Sequence, residues 1–313
     1  MQPLFLHQPS HQHWHILGAG AIGCLWGGQM IKSGLSITLL VKPERGASLP
    51  TRPKVIIHDH QGISNFPVTV ETTRDKTPIS HLIVTTKAGD TLAAIKSVQS
   101  RLTENAIIVL LQNGLGSQQA VADAFSHHAV FAGSTTDGVW LKNLLSIHRT
   151  GRGQTWLGPL NEAASSSFHG SAVHTLLTIQ DMEVFLTKNI LYKLQEKLAI
   201  NSAINGLTAL IDRPNGDLLK PELQRTVSRL CRDTEAILAS DGYSNNTPLL
   251  EMVNRVLTIT ATNVSSSLQD VRKGRPTELP WINGYLLTLA EKNGVSASAH
   301  QELMQTLAEK GIR

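Results

Sequence analysis

The feature that most constrains the fold of this chain is a run of glycines near its N-terminus, Gly18-Ala-Gly20-Ala-Ile-Gly23. An apolar segment precedes the run, and a helical pattern over residues 24–33 follows it. In this context the first glycine makes a tight turn, the second lets the backbone approach a pyrophosphate, and the third lets the helix pack on the strand. The N–H groups that begin the helix bind phosphate. The run therefore predicts a Rossmann-type α/β domain whose dinucleotide contacts are Gly18, Ala19, Gly20, Ala21, Ile22 and Gly23.

The end of the second predicted strand, residues 36–41, indicates which nicotinamide cofactor the domain binds. An NAD site usually places a carboxylate there, which holds the ribose 2′-hydroxyl. This chain has Lys42-Pro-Glu-Arg45 instead. The cations Lys42 and Arg45 suit a 2′-phosphate, and Glu44 is expected to point elsewhere because it follows Pro43. The segment therefore predicts NADP(H) as the cofactor.

Two further predicted strands end in polar residues. Residues 81–86 lead into Lys87, and residues 106–112 lead into Asn113-Gly-Leu-Gly116. The carboxyl ends of parallel strands line the ligand crevice of a doubly wound sheet. Lys87 is therefore a candidate cofactor contact, with a solvated lysine as the alternative. Asn113 is a candidate contact for the nicotinamide ribose or the substrate, with a turn-forming role beside Gly114 as the alternative.

The remaining patterns divide the chain into a mixed part and a helical part. In the mixed part we expect a hairpin over residues 53–72, a helix over 90–102, antiparallel strands over 139–158 with their bend at 147–153, a helix over 173–180 and a last strand over 182–186. Beyond Thr187 we expect helices near residues 189–210, 217–240, 248–268, 280–293 and 297–310. The predicted domains are accordingly residues 14–187, which bind the dinucleotide, and residues 188–313, which bind substrate.

Composition narrows the class of partner. The formal net charge is +4 and the basic residues form no tract, which favours an anionic small molecule over nucleic acid. The two cysteines, Cys24 and Cys231, provide neither a disulfide framework nor a metal-ligand spacing. No apolar run reaches the length of a membrane span, and the N-terminus lacks a signal-peptide pattern. We expect a cytoplasmic monomer or homodimer without a metal site, nucleic-acid partner or membrane partner.

The N-terminal residues 1–13 include His7, His11 and His13. We expect these residues to form a disordered extension, with metal binding as the less favoured alternative.

A polar stripe distinguishes the first long helix of the C-terminal half. Lys197, Asn201 and Asn205 are spaced i, i+4, i+8 and fall within an arc of roughly 80° on a helix. The rest of this helix is mostly apolar or small, as in a buried helix. Burying these polar groups without partners would cost roughly 1–3 kcal/mol each. The stripe therefore faces either a private hydrogen-bond network or, as we favour, a cleft that receives a polar ligand.

Three other polar features lie in the same half. Asn215 is in a loop directly after the first helix, Asn263 and Ser266 are expected to share a helical face at i, i+3, and Glu278 precedes a helix. Singly, each is better explained as a cap or a turn. Together with the stripe they provide a lysine, a carboxylate and several amides, a set that suits a small oxygen-rich anion and a proton donor.

From Trp14 onward the chain resembles ketopantoate reductase (2-dehydropantoate 2-reductase). The matching motifs are Gly18-Ala-Gly-Ala-Ile-Gly23, Val84-Thr-Thr-Lys87, Gln112-Asn-Gly-Leu-Gly116, Lys197-Leu-Ala-Ile-Asn-Ser-Ala-Ile-Asn205, Pro214-Asn-Gly216, Ser265-Ser-Ser-Leu-Gln-Asp270 and Glu278-Leu-Pro-Trp-Ile-Asn-Gly284. The lysine-asparagine-asparagine run and the Glu278-to-Gly284 stretch are specific to that family. The family often has arginine where Lys42 stands, and lysine there keeps the charge but lacks the bidentate fork.

The resemblance implies a fold and an activity. The fold is an N-terminal Rossmann-type NADP-binding domain, an all-α C-terminal domain like that of 6-phosphogluconate dehydrogenase, and a ligand cleft between them. The activity is NADPH-dependent reduction of 2-dehydropantoate to pantoate, a step toward pantothenate and coenzyme A. Alternatives are a related NADP-dependent 2-keto acid reductase and a non-catalytic NADP-binding sensor. A 6-phosphogluconate-type dehydrogenase would need a phosphate site made of several basic residues in the helical half, and we see no such site in the sequence.

The resemblance also implies roles for individual residues. Hydride would pass from the nicotinamide C4 to the C2 ketone, with Lys197 as proton donor and Glu278 orienting either Lys197 or the cofactor ribose. The implied substrate contacts are Asn113, Asn201, Asn205, Asn215, Asn263 and Ser266. The implied cofactor contacts beyond the glycine loop are Lys42, Lys87, Asn113, Val139 and Glu278.

Overall fold

The computed structural model describes residues 12–167 and 172–313. The described chain divides into two compact units. The first comprises the chain up to Gln112 together with Gln118–Ile190, and the second comprises Asn113–Ser117 together with Leu191–Arg313. The short loop Asn113–Ser117 thus belongs to the second unit although its flanking residues belong to the first.

The first unit contains two β-sheets. Its strands are β1 (His13–Leu17), β2 (Ser36–Val41), β3 (Lys54–Asp59), β4 (Gly62–Pro67), β5 (Thr69–Thr72), β6 (Ile79–Val84), β7 (Leu102–Leu110), β8 (Ala129–Thr135), β9 (Gly138–Asn143), β10 (Ser146–Gly151), β11 (Gln154–Pro159) and β12 (Glu183–Leu186). Eight form one sheet in the order β12-β11-β8-β7-β6-β1-β2-β5, and four form the other in the order β4-β3-β10-β9. The α/β class predicted from the glycine run is confirmed.

The eight-stranded sheet is built around parallel strands. β1 pairs in parallel with both β2 and β6, and β7 pairs in parallel with β6 and β8. Both faces of these central strands are covered, because alternate residues enter two hydrophobic clusters: Ile16, Leu39 and Ile83 are in one, and Leu17, Leu40 and Val84 are in the other. β11 joins the edge antiparallel to β8 and parallel to β12.

The helices of the first unit are short apart from the one that follows the glycine loop. They are α1 (Ala21–Lys32), α2 (Pro43–Ala47), α3 (Thr91–Ser97), α4 (Ser117–Ala124) and α5 (Glu162–Ser167). Helix α1 packs on β1 and β2 of the large sheet and on all four strands of the small sheet. Its residues Cys24, Trp26 and Met30 are fully buried, which explains why this helix has no polar face.

The second unit is helical. Its helices are α6 (Ile190–Ile211), α7 (Pro221–Ala239), α8 (Leu249–Ile259), α9 (Ser266–Arg272), α10 (Leu279–Asn293) and α11 (Ser298–Glu309). Helix α6, at 22 residues, is the longest described helix and carries the predicted polar stripe. Of the described helices, none is both long and apolar enough to cross a membrane.

Two predictions in the first unit were wrong in detail. The helix expected over residues 90–102 ends at Ser97, and β7 already begins at Leu102. The buried Arg101 between them donates to the Thr77 and Thr72 carbonyls and pairs with Glu71, so tertiary contacts end the helix early. Residues 147–151 of the bend expected at 147–153 lie instead in strand β10. The β9–β10 turn lies at Leu145 instead (φ 59°), where the Leu145 carbonyl accepts from Ile56 of β3.

Further corrections concern the ends of other segments. The hairpin expected over residues 53–72 ends at Pro67, since the following strand β5 pairs in parallel with β2 instead. The helix expected over 173–180 is a 3₁₀ turn, Ala172–Thr178. His13, expected in the disordered extension, begins β1, where its ring nitrogens lie 2.7 Å from Ser36 Oγ and 2.9 Å from Thr38 Oγ1. Residues 1–11, with His7 and His11, lie outside the described residues.

The helix expected over residues 248–268 is broken into α8 and α9. Between them, the carbonyls of Ala261 and Asn263 accept hydrogen bonds from the backbone of Gly216 (3.0 Å) and Asn215 (2.9 Å). Ser265 then caps α9 by accepting from Leu268 N at 3.2 Å. Asn263 therefore lies before α9, and the prediction that Asn263 and Ser266 share a helical face was wrong.

Candidate active site

The glycine loop of the first unit has a geometry that requires glycine at two of its three positions. Gly18 adopts φ 110°, and a Cβ there would lie 3.0 Å from the Thr86 nitrogen. A Cβ on Gly23 would lie 2.0 Å from the Gly18 carbonyl oxygen, so helix α1 packs directly on the loop. A Cβ on Gly20 would meet only the Thr85 carbonyl, at 4.0 Å. Neighbouring atoms thus fill the space beside Gly18 and Gly23, whereas the space beside Gly20 is open.

Thr85, at the end of β6, supports this loop and was missed from the sequence. Its hydroxyl donates to the Gly18 carbonyl at 2.7 Å. The same hydroxyl would lie 2.6 Å from a Cβ on Gly23, so Thr85 occupies the space that the missing side chain leaves. The available signals were its position just after a strand and its place in the Val84-Thr-Thr-Lys87 motif, and neither indicated a contact with the glycine loop.

The two cations after β2 differ in their surroundings. Lys42 is exposed and immediately precedes α2. Arg45 is half-buried, and its Nη2 donates to the Ala19 carbonyl of the glycine loop at 2.8 Å. Arg45 therefore ties α2 to the loop, whereas Lys42 presents its ammonium to solvent at the carboxyl end of β2. Glu44 is exposed as well.

The other predicted cofactor contacts in the first unit lie in different settings. Lys87 is half-buried, and its carbonyl accepts from Asp90 N and Thr91 Oγ1, both at 2.9 Å. Val139 is on β9 of the small sheet, opposite Arg149, and packs against the apolar core around α1. Its role as a cofactor contact stays a prediction.

In the second unit a chain of hydrogen bonds joins three of the predicted residues. The Lys197 ammonium on α6 donates to Asn113 Oδ1 at 2.6 Å, and Asn113 Nδ2 donates to Glu278 Oε2 at 2.9 Å. An ammonium can only donate and a carboxylate can only accept, so the two contacts fix the orientation of the Asn113 amide. Asn113 therefore bridges the amine and the carboxylate, a connection that helical spacing could not reveal.

The backbone after Asn113 is held against the start of α10. The Leu115 N–H donates to the Trp281 carbonyl at 2.9 Å. Gly114 has φ 77°, and a Cβ there would lie 2.4 Å from the same carbonyl oxygen. Gly114 and Trp281 therefore fix the position of Asn113. The Asn-Gly-Leu-Gly sequence indicated a turn, but nothing in it indicated its partner.

The remaining polar residues form two smaller groups. Asn205, a buried residue of α6, donates through Nδ2 to Ser266 Oγ at a long distance of 3.4 Å. Asn215 donates through Nδ2 to Thr260 Oγ1 at 2.9 Å, and its buried Oδ1 has no hydrogen-bond partner among the described residues. Asn201 is half-buried one turn after Lys197. Asn263 exposes its side chain and contributes its carbonyl to the Asn215 loop.

Two other kinds of chemistry find no support in the described chain. Burial raises the pKa of the Cys24 thiol to about 12 and that of the Cys231 thiol to about 12, so neither is a nucleophile at neutral pH. Among residues 12–167 and 172–313, no group of His, Cys, Asp and Glu side chains could hold a metal ion. Acid–base chemistry by Lys197 and the polar groups around it is therefore the candidate chemistry of the second unit.

Comparison with protein families gives a consistent result along the chain. Residues 14–162 match the family described as ketopantoate reductase PanE/ApbA, and residues 189–311 match its C-terminal family. The 2-dehydropantoate 2-reductase of Vibrio cholerae is 29% identical over 296 residues, covering 93% of this chain and 95% of that protein. The enzyme of the same name from Archaeoglobus fulgidus is 26% identical and covers 96% and 99%.

Solved structures share the fold at lower identity. D-mandelate dehydrogenase in a ternary structure with NADH and anilino(oxo)acetate superposes with a TM-score of 0.87 at 19% identity, covering 96% of this chain and 98% of that one. A PanE/ApbA family ketopantoate reductase from Ralstonia eutropha superposes with a TM-score of 0.82 at 19% identity, covering 93% and 96%. At these identities the likeness demonstrates the fold alone.

Proposed function

The chain belongs to the ketopantoate reductase family of oxidoreductases, and from that premise we propose that it reduces 2-dehydropantoate to pantoate with NADPH. The observation that carries the proposal is the bridge from Lys197 through Asn113 to Glu278. It places an amine, an amide and a carboxylate together in the helical unit. The relatives named 2-dehydropantoate 2-reductase support this choice of substrate.

Lys197 is the proposed acid. Reduction of the C2 ketone develops negative charge on its oxygen, and an ammonium stabilises that charge and then gives up a proton. The hydrogen bond to Asn113 restricts the flexible lysine side chain, so less conformational freedom is lost when substrate binds. Glu278 reaches Lys197 through the Asn113 amide, which favours an orienting role for this carboxylate.

The substrate carries a carboxylate and a hydroxyl besides the ketone. We propose that Asn201, Asn205 and Ser266 hold these groups, since amides and hydroxyls bind oxygen atoms without adding charge. The long contact between Asn205 and Ser266 is weak enough to be exchanged for contacts with a ligand. Asn215 and Asn263, which form a separate loop contact, complete the proposed set.

The cofactor is proposed to bind the glycine loop of the first unit. The open backbone at Gly20 suits the pyrophosphate, and the exposed Lys42 suits the 2′-phosphate of NADPH. When bound, NADPH supplies the hydride that reduces the ketone carbon. The preference for NADPH over NADH rests on Lys42 and Arg45, while the D-mandelate dehydrogenase neighbour was solved with NADH.

The direct test is an assay of NADPH oxidation with 2-dehydropantoate. Replacement of Lys197 by alanine should lower kcat by roughly 10²–10⁴-fold, the usual contribution of a positioned acid. Lys193→Ala is the matched control, because Lys193 lies one turn earlier on α6 and pairs with Glu196. Near-wild-type kcat for Lys197→Ala would refute the assignment.

The same assay separates the alternatives. A panel of 2-keto acids compared by kcat/KM distinguishes 2-dehydropantoate from the substrate of a related reductase. Parallel assays with NADH test the preference expected from Lys42. Tight NADPH binding without turnover of any keto acid would instead support the sensor.

A further inference from the structure

A second polar network is buried in the helical unit and includes no residue of the proposed catalytic set. It consists of Ser202 on α6, Thr234 on α7, Asn283 on α10 and His300 on α11, each with no exposed surface. Asn283 Nδ2 lies 2.8 Å from the Ser202 carbonyl and 3.1 Å from His300 Nδ1. His300 Nε2 lies 2.9 Å from Thr234 Oγ1, which lies 3.0 Å from Ser202 Oγ. Four helices are thus joined by four side chains.

The direction of every hydrogen bond in this network follows from its chemistry. The Ser202 carbonyl can only accept, so the nitrogen of the Asn283 amide faces it, and the second amide hydrogen points to His300 Nδ1. Nδ1 is therefore an acceptor, and the neutral imidazole carries its hydrogen on Nε2, which donates to Thr234. Ser202 donates to the Ala199 carbonyl at 2.8 Å, which leaves Thr234 to donate to Ser202.

Burial keeps His300 in this neutral form. Burial lowers the pKa of His300 to about 4, outweighing the opposite effects of the Asp233 carboxylate and the Leu230 carbonyl. At neutral pH the imidazole is thus one donor and one acceptor, as the network requires.

The amide of Asn283 is used only as a donor. Its Oδ1 is buried and has no hydrogen-bond partner in the described part of the chain. Leaving a buried acceptor unpaired is unfavourable, and a leucine would avoid that cost. The two donated bonds, which join α10 to α6 and α11, are therefore what asparagine provides at this position.

Two of the four helices that the network joins, α6 and α10, also position Lys197 and Glu278. Ser202 follows Lys197 by five residues on α6, and Asn283 on α10 follows Glu278, the residue immediately before that helix, by five residues. Five residues span about 7.5 Å along a helix, too short a distance for the helix to bend appreciably. The Trp281 carbonyl, which holds the Asn113 loop, lies between Glu278 and Asn283. A shift of α10 against α6 would therefore move Glu278 and Asn113 away from Lys197.

We propose that Asn283, His300 and Thr234 are positioning residues that set α10 against α6 and thereby align Glu278 and Asn113 with the Lys197 ammonium. This proposal rests on the proposed function, because the alignment of the two helices affects turnover through Lys197, the proposed acid.

Thr234 offers a matched pair of variants. Thr234→Val keeps the shape of the side chain but removes the hydroxyl that links His300 to Ser202. Thr234→Ser keeps the hydroxyl and removes a methyl group. If the hydroxyl aligns the helices, Thr234→Val lowers kcat roughly 10-fold with KM changed less than about twofold, within the range of couplings between distant residues. Thr234→Ser then stays within about threefold of wild type.

A kinetic isotope effect separates misalignment from simple loss of folded enzyme. With NADPH deuterated at the nicotinamide C4, a misplaced Lys197 slows the chemical step, so the isotope effect on kcat rises in Thr234→Val. Val227→Ala, a fully buried apolar truncation on α7, controls for lost stability and should leave the isotope effect unchanged. Equal kcat and isotope effects for Thr234→Val and Thr234→Ser would overturn the proposal.

The proposed function and the proposed alignment of α10 with α6 can be refuted separately. Absence of turnover by the wild-type chain with NADPH and 2-dehydropantoate would refute the proposed function. The network itself is tested by ¹⁵N chemical shifts of the His300 ring in the unmodified protein. An unprotonated Nδ1 and a protonated Nε2 are expected, and a protonated Nδ1 would overturn the network whatever the activity.

Discussion

Replacement of Gly114 by alanine should disturb the Asn113 bridge without touching any proposed catalytic group. Gly114 combines a φ of 77° with a close approach to the Trp281 backbone. The new Cβ would lie 2.4 Å from the Trp281 carbonyl oxygen and 2.7 Å from its carbon. Real Cβ atoms do not approach backbone so closely, so the loop must move away from α10.

The expected loss of stability has two parts. A left-handed backbone conformation costs a residue with a Cβ about 1–2 kcal/mol. Moving the loop also breaks the 2.9 Å hydrogen bond from Leu115 N to Trp281, and Leu115 is only 4% exposed. Stranding that buried N–H costs about 1–3 kcal/mol. Together the substitution should lower the free energy of unfolding by about 3 kcal/mol.

Gly116→Ala is the matched control in the same loop. Gly116 also has a positive φ, 97°, but a Cβ there would make only an ordinary 3.5 Å contact with Tyr285 Cδ2. The Gly116→Ala variant should therefore lose only the stability that the left-handed backbone conformation costs a residue with a Cβ. In urea unfolding followed by circular dichroism, the midpoint of Gly114→Ala should lie roughly 0.5–1 M below that of Gly116→Ala. The kcat of Gly114→Ala should also lie below that of Gly116→Ala, because Asn113 moves with the loop.

Equal unfolding midpoints for the two alanine variants would refute this reasoning. Such a result would mean that the contact with Trp281 contributes nothing beyond the backbone conformation. A lower midpoint with unchanged kcat would show instead that the loop stabilises the fold without holding Asn113 in a working position.

Two other predictions concern buried ionisable side chains. Burial lowers the pKa of His300 to about 4, so the unfolded chain takes up a proton below pH 6.5 that the folded chain refuses. The contribution of His300 to the free energy of unfolding should therefore be constant above about pH 6.5 and fall by up to about 3 kcal/mol toward pH 4. The melting temperature should accordingly depend less on pH in His300→Gln than in the wild type, and equal pH dependence in the two proteins between pH 6.5 and 4.5 would contradict this. Asp137→Asn should destabilise the first unit by about 3–5 kcal/mol, since it leaves the buried Arg149 without its carboxylate. Glu302→Gln, which breaks the exposed pair with Arg229, should leave the urea midpoint close to that of the wild type. Similar urea midpoints for Asp137→Asn and Glu302→Gln would count against the buried pair.

The sequence alone determined the features whose physical cause is local. The glycine run between an apolar strand and a helix specifies its own backbone, so the α/β class and the position of the nucleotide loop could be predicted. The spacing of Lys197, Asn201 and Asn205 specifies one face of a helix, and α6 carries it. The family motifs, which are also short contiguous runs, were sufficient to identify the family.

Only the tertiary structure decided which distant residues meet. Asn113 lies 84 residues from Lys197 and 165 from Glu278, and no local periodicity relates such positions. The break between α8 and α9 depends on carbonyls that Asn215 and Gly216 engage, and the turn at Leu145 depends on pairing with β3. The assignment of Asn113–Ser117 to the helical unit likewise follows from Trp281 rather than from neighbouring residues. Hydrogen bonds across long sequence separations are made by the folded packing, so a local pattern can name the groups but not pair them.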